Sequence, residues 1–320
     1  MPCISISDRG RWTDMGLSSG RLWKTIVKQR MLILMSFPFL IHLLIFSYVP
    51  IWGWLMAFQN FIPGISFFDQ QWIGLQHFKI LFSDKEFVRV LRNSLAMSVI
   101  NLVLGFSTAI GLAILLNEVK LIFFKRMVQT ISYLPHFVSW VVAATLVLNM
   151  LSMEGSINDF LVFMGVIQEP VMWMAKGEYF WSVIGLSNVW KNVGWNAIIY
   201  LAAISMINPE LYEAAGMDGA SRMQKIRHIT LPGIQPTIVI LLIISIGYLL
   251  SSGFEQQFLL RNQLVTDYSD NLEIYVLQKG LAQNQFSFAT AAGIFRTLVS
   301  FTLLFGANYL AKRLGQERIF

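Results

Sequence analysis

Asn208-Pro-Glu-Leu-Tyr-Glu-Ala-Ala-Gly-Met-Asp-Gly-Ala-Ser-Arg-Met-Gln-Lys-Ile-Arg-His-Ile-Thr-Leu-Pro232 is a polar interlude between two long apolar stretches. Its punctuation specifies two short helices. Asn208 suits an N-cap, Pro209 the first helical position, Glu210 the positive end of the dipole, and Gly219 the left-handed residue that ends a helix. That predicts a first helix of about ten residues, roughly 15 Å long. Ser221 and Gln224 have capping-box spacing and start a second, which Pro232 and Pro236 are expected to stop. On the first helix Ala214, Ala215 and Gly216 leave a surface without bulky side chains, so another protein's groove can approach the backbone. Leu211 and Tyr212 offer apolar anchors beside it, and Glu213 and Asp218 offer charge-assisted contacts to a basic partner.

The flanks are apolar because the chain as a whole is. It is 320 residues long, 55% hydrophobic and only 13% charged, with 25 Phe and 10 Trp, a composition outside the soluble globular range. A bilayer core needs roughly 20 apolar helical residues, since backbone amides must be satisfied within the segment. Six stretches qualify: Met31 to Phe58, Ser94 to Leu116, Thr130 to Leu151, Phe180 to Met206, Thr237 to Leu260 and Thr290 to Ala311. The fold class expected is an all-α membrane protein of six transmembrane helices spanning 31–311. A polar segment, 1–30, precedes them and a short tail, 312–320, follows. The first apolar run is too long for a signal-peptide core and is expected to stay attached.

Orientation follows from the positive residues, which are retained on the cytoplasmic side. The segment before the first span, the 208–232 loop, the 120–126 turn and the tail together hold fifteen Lys and Arg, against seven in the alternate connections. Both termini and the 208–232 loop are therefore placed in the cytoplasm. The net charge of +6 is thereby topological rather than a nucleic-acid footprint. The outward connections, 59–93, 152–179 and 261–289, are long enough for short surface helices and suit a docking rim. The single Cys3 excludes an intrachain disulfide, and His42, His77, His136 and His228 are scattered, so no metal site is assigned.

Glu213-Ala214-Ala215, then Gly219, Ile229 and Leu231-Pro232 at their spacing, resemble the EAA loop of bacterial binding-protein-dependent ABC (ATP-binding cassette) importers. The resemblance implies a type I importer permease fold in the bacterial inner membrane, with the loop as the coupling helix that seats in an ATPase subunit. It also implies a second homologous permease, two ABC ATPase subunits that bind ATP and Mg, and an extracytoplasmic solute-binding protein. The chain has no Gly-x-x-x-x-Gly-Lys-Ser/Thr loop, so it is expected to be no enzyme and to bind no cofactor itself. Tyr133-Leu-Pro-His-Phe-Val-Ser-Trp140 and Trp190-Lys-Asn-Val-Gly-Trp195 resemble permeases for oligosaccharides, and more narrowly permeases of alginate-oligosaccharide importers. An acidic sugar is the implied substrate. The rival reading is an ion-coupled secondary transporter or channel subunit.

Within the spans, Asn188, Lys191, Asn192, Trp195 and Asn196 recur at helical spacing on one face. A lysine in hydrocarbon costs at least about 2.5–3.5 kcal/mol unless it meets water, a counter-charge or substrate. That face is expected to line a sugar path, with a structural pairing of Lys191 as the equal alternative. On the fifth span Tyr248, Ser251, Ser252 and Glu255 share a face, and Gly253 before Glu255-Gln256-Gln257 should interrupt the helix; Tyr248, Ser252, Glu255, Gln256 and Gln257 are assigned to the same path. Arg296 joins them, near Glu255 or a substrate carboxylate, unless an internal ion pair holds it.

Overall fold

The computed structural model describes residues 28–251, 253–317 and 319. Residues 1–27, Ser252, Arg318 and Phe320 lie outside the described residues, and with them most of the expected N-terminal segment and one expected path residue. The chain forms two compact units, Met1–Leu55 and Met56–Phe320. The first holds helix α1 (Arg30–Leu43), a π-turn (Leu44–Tyr48) and the start of a 3₁₀ stretch, Val49–Phe58, whose last residues belong to the second.

The second unit opens with a two-stranded ribbon, β1 (Gln59–Asn60) antiparallel to β2 (Gln71–Trp72), and α2 (Gln76–Ser83). The long helix α3 (Lys85–Glu118) begins where Asp84 accepts from the Glu86 amide at 2.9 Å. The expected third span is not continuous: α4 (Ile122–Tyr133) passes through a 3₁₀ turn (Leu134–Phe137) into α5 (Trp140–Met150), bent by 105°. Pro135 lacks the amide that would carry the ladder through, and Ser139 caps α5 by accepting from Val142 N. Then follow α6 (Ser156–Phe163), α7 (Gly177–Ser205), α8 (Pro209–Met217), α9 (Arg222–Gly247), α10 (Phe254–Leu260), α11 (Leu272–Leu277) and α12 (Phe286–Arg313).

Four helical stretches, Arg30–Phe58, Lys85–Glu118, Arg222–Gly247 and Phe286–Arg313, are long and apolar enough to cross a bilayer, and the bent pair makes a fifth when counted as one span. Helix α7, at 29 residues or about 43 Å, is long enough to cross as well, but its asparagines and lysine make it more polar than these stretches.

One expectation about the fifth span needs correction. Pro232 and Pro236 do not stop the second loop helix, because a π-turn at Ile226–Thr230 widens the ladder just before them and α9 continues unbroken to Gly247. There the Leu231 amide reaches back to Ile226 O. The helix ends at Gly247, and Gly253, left-handed at φ +88°, precedes α10 as the sequence leads one to expect.

Helices α3 and α7 make the most extensive pairing, along small residues such as Ala109, Ala113 and Ala197. Gly194 faces α4 instead: a Cβ there would run into the Ser132 carbonyl near the end of α4. At the far end of α7 from α8, ion pairs tie the 261–289 connection to α3, to α12 and to itself. These are Arg89–Asp267 at 2.7 Å, Lys279–Glu86 at 2.8 Å, Arg261–Asp270 at 3.1 Å and Arg296–Glu273 at 2.7 Å. Burial holds the Glu273 carboxyl above its ordinary range against the pull of Arg296, and burial plus a hydrogen bond to Asp84 raises the Tyr275 phenol.

Candidate coupling surface and translocation path

Helix α8 is built as its sequence dictates. Asn208 accepts from the Glu210 amide at 3.0 Å, and Pro209 fills the first turn without wasting a donor. At the other end Gly219 is left-handed (φ +76°); its amide reaches Gly216 O at 3.2 Å, and Ala220 N reaches Ala215 O at 2.8 Å. That pair of bonds is a Schellman cap. Ser221 and Gln224 then close their capping box reciprocally. The loop is a rigid element with both ends fixed.

Its surface divides the expected residues. Leu211, Glu213, Ala214, Gly216, Asp218 and Gly219 are exposed, and Ala215 is half-buried. Neither Glu213 nor Asp218 has an ion-pair partner among the described residues. Tyr212 is turned inward, its hydroxyl 3.0 Å from Thr230 Oγ1, so it anchors α8 to α9 rather than offering itself to a partner. Ile229 is half-buried, while Leu231 and Pro232 lie exposed on α9. Met217 and Met223, 85% and 70% exposed, complete the apolar surface. Sequence reasoning missed them because methionine in a mostly apolar chain carries no signal of its own.

The polar face of α7 is split. Asn188 and Asn196 line a cavity of about 310 Å³ between α3, α7 and α9, together with Asn101, Ser245 and Tyr248. Asn101 Oδ1 is buried there and accepts no hydrogen bond among the described residues. Asn192 donates to Asn188 Oδ1 at 2.7 Å, and its own Oδ1 lies 3.0 Å from His136 Nδ1. The His136 ring stacks on Trp195 at 4.5 Å with an interplanar angle of 4°. His136 and Asn101 were missed as well: each is isolated in the sequence, and only the packing of α3, α4 and α7 brings Asn101 to the cavity and His136 to Asn192 and Trp195.

Other expected path residues face inward. Lys191 is 4% exposed and donates to the carbonyls of Pro135, His136 and Val138 at 3.3, 2.8 and 2.6 Å. Gln256 donates to Ile184 O at 2.7 Å and Ser187 Oγ at 2.9 Å, and Gln257 accepts from Asn271, so both tie α10 to its neighbours. Arg296 is held by Glu273, not by Glu255. Glu255 is exposed. Arg296 and Tyr248 line a second cavity of about 420 Å³ between α9 and α12, whose other walls are mostly apolar.

This arrangement, a capped surface helix joined to bent and broken spans around a polar cavity, has a close match among known proteins. The chain belongs to the binding-protein-dependent transport system inner membrane component family, whose model matches residues 101–316. It is thus the permease subunit of an ABC importer, with ATP hydrolysis left to a separate subunit. Membership answers the rival reading of an ion-coupled transporter or channel. Among its relatives is the polygalacturonan/rhamnogalacturonan transport system permease protein YteP of Bacillus subtilis (strain 168), 42% identical over 94% of this chain and 93% of that one. The crystal structure of a bacterial ABC transporter involved in import of the acidic polysaccharide alginate matches with a TM-score of 0.85 and 41% identity, over 92% of this chain and 99% of that one. A second, the bacterial alginate ABC transporter in complex with an alginate pentasaccharide-bound periplasmic protein, gives 0.86 and 39%, over 93% and 100%.

Proposed function

We propose that this permease carries acidic oligosaccharides, built from uronate units as in alginate or polygalacturonan, across the inner membrane after delivery by an extracytoplasmic binding protein. The observation that carries the substrate class is that two relatives matched at 42% and 41% identity over more than nine-tenths of the chain, above the 30% of an arabinooligosaccharide permease, are named for polymers sharing one chemistry, a sugar ring bearing a carboxylate. The path forms with a second homologous permease. Asn188, Asn192, Asn196, Trp195 and Tyr248 contribute amides and flat rings, which suit hydroxyls and sugar faces.

The cytoplasmic element is α8, with both chain termini on the same side, as the positive residues require. An ABC ATPase subunit, holding ATP and Mg, grips Leu211, Ala214, Ala215, Gly216 and Met217. Its closure moves α8, and the Tyr212–Thr230 contact passes the movement to α9. Because α9 is unbroken for 26 residues, about 39 Å, displacement at Arg222 reaches Ser245 and Tyr248 at the cavity. The break after Tyr248 then absorbs the change. Co-purification with the partner subunits and reconstitution in liposomes tests the reading: oligouronates presented by the binding protein should stimulate ATP hydrolysis several-fold, and neutral oligosaccharides of equal length should not. Stimulation by neutral glycans alone would overturn the substrate class.

A further inference from the structure

Lys191 looks like a counter-charge for an acidic solute, but its geometry gives it another task. Between α4 and α5 the backbone turns through 105°, and carbonyls at such an elbow have no water to turn to inside a bilayer. The ammonium of Lys191 has three N–H donors, and three elbow carbonyls, those of Pro135, His136 and Val138, receive them at 3.3, 2.8 and 2.6 Å. Trp140 covers it, with Nζ 5.3 Å from the ring centroid. Nothing of the charge is left facing a path.

What the elbow carries is the His136 ring, stacked on Trp195 and bonded to Asn192. Phe137 packs edge-on against the same indole, with centroids 5.8 Å apart. Trp195 is 42% exposed and Phe137 72% exposed, so the assembled plate presents open aromatic surface. We propose that Lys191 is a positioning residue: by capping the elbow of the third span it holds His136 and Trp195 as one rigid plate that meets the passing sugar ring. This rests on the sugar-path reading above.

A charge and a cap respond differently to substitution. Arginine keeps the charge, but its planar fork cannot converge three donors on three carbonyls around one point. Glutamine keeps two donors and loses the charge. In proteoliposomes holding the complete transporter, with hydrolysis driven by oligouronate-loaded binding protein, Lys191→Met and Lys191→Arg should both raise the apparent KM about tenfold while Vmax stays within about twofold. Lys191→Gln should fall between them and wild type, and Trp195→Ala should give the same KM shift and add little to Lys191→Met. A defect confined to folding would lower Vmax with the amount assembled and leave KM alone. If Lys191→Arg has wild-type KM while Lys191→Gln matches Lys191→Met, the lysine is a counter-charge and the proposal is overturned. Spin labels at Phe137→Cys and Ala202→Cys, in a Cys3→Ser subunit without solute, read the elbow directly. One narrow distance distribution is expected with Lys191 and a broad one with Lys191→Arg; identical distributions would overturn the cap. Broadening together with indifference to oligouronates would leave the cap standing and remove the sugar.

Discussion

Helix α8 and the elbow of the third span are both short, both punctuated by proline, and both carry conspicuous residues, yet they use them in opposite directions. On α8 the caps turn inward and the remaining side chains are left for a partner. At the elbow the most conspicuous residue on the facing helix, Lys191, is consumed by the fold itself. The difference comes from the medium. In water, the ends of a helix can be finished by their own neighbours and by solvent. At membrane depth every broken ladder needs a polar group from elsewhere in the chain, so polar side chains are drafted into the structure first.

Several measurements break or sharpen that contrast, beginning with the strongest. Gly219→Val puts a β-branched residue at φ +76°, where the backbone of α8 closes. It should lower solute carried per ATP hydrolysed by tenfold or more while hydrolysis stays near wild type, an effect of coupling rather than assembly. Gly194→Leu acts on the other region. With the Ser132 carbonyl already against that backbone, the two helices must separate, and thermal unfolding of the purified subunit should report a loss of about 1–3 kcal/mol. Gln256→Leu removes the amide that ties α10 to Ile184 O and Ser187 Oγ and should cost about 1–3 kcal/mol by the same assay. Asn208→Ala removes only a cap, worth about 1 kcal/mol, and hydrogen exchange should rise within 209–217 and nowhere else. Asp267→Asn should be the weakest: the Asp267 carboxylate that pairs with Arg89 is itself exposed, so the change should stay under about 1 kcal/mol and vanish at high salt.

The same contrast explains what could be read from residues alone. Asn208, Gly219, Ser221 and Gln224 act on amides within a few positions, so their roles follow from spacing. The break at Gly253 was legible for the same reason. The 105° elbow was not, although Pro135 was in plain view, because the stretch Thr130 to Leu151 is apolar enough as a whole to satisfy a continuous span equally well. Nor was the fate of Pro232 and Pro236, since a π-turn leaves no compositional mark. Helical periodicity correctly grouped Asn188, Lys191, Asn192, Trp195 and Asn196 on α7. It could not tell which would meet a solute and which the carbonyls of another helix, because that depends on where α4 ends. Arg296 shows the same limit: its partner Glu273 stands in a connection whose path no local rule gives.

The central claim is that the exposed face of α8 is where an ATPase subunit grips the permease, and disulfide capture tests it most directly. With Cys3 replaced by serine, Met217→Cys on α8 and Phe163→Cys on α6, 85% and 87% exposed, are equally open to reagent and lie toward opposite ends of α7. In membranes containing the assembled transporter and an ATPase carrying one cysteine at its docking cleft, position 217 should form a cross-link sensitive to nucleotide, and position 163 should form none. Capture at 163 but not at 217, or solute uptake by this chain without any nucleotide-hydrolysing partner, would contradict the account.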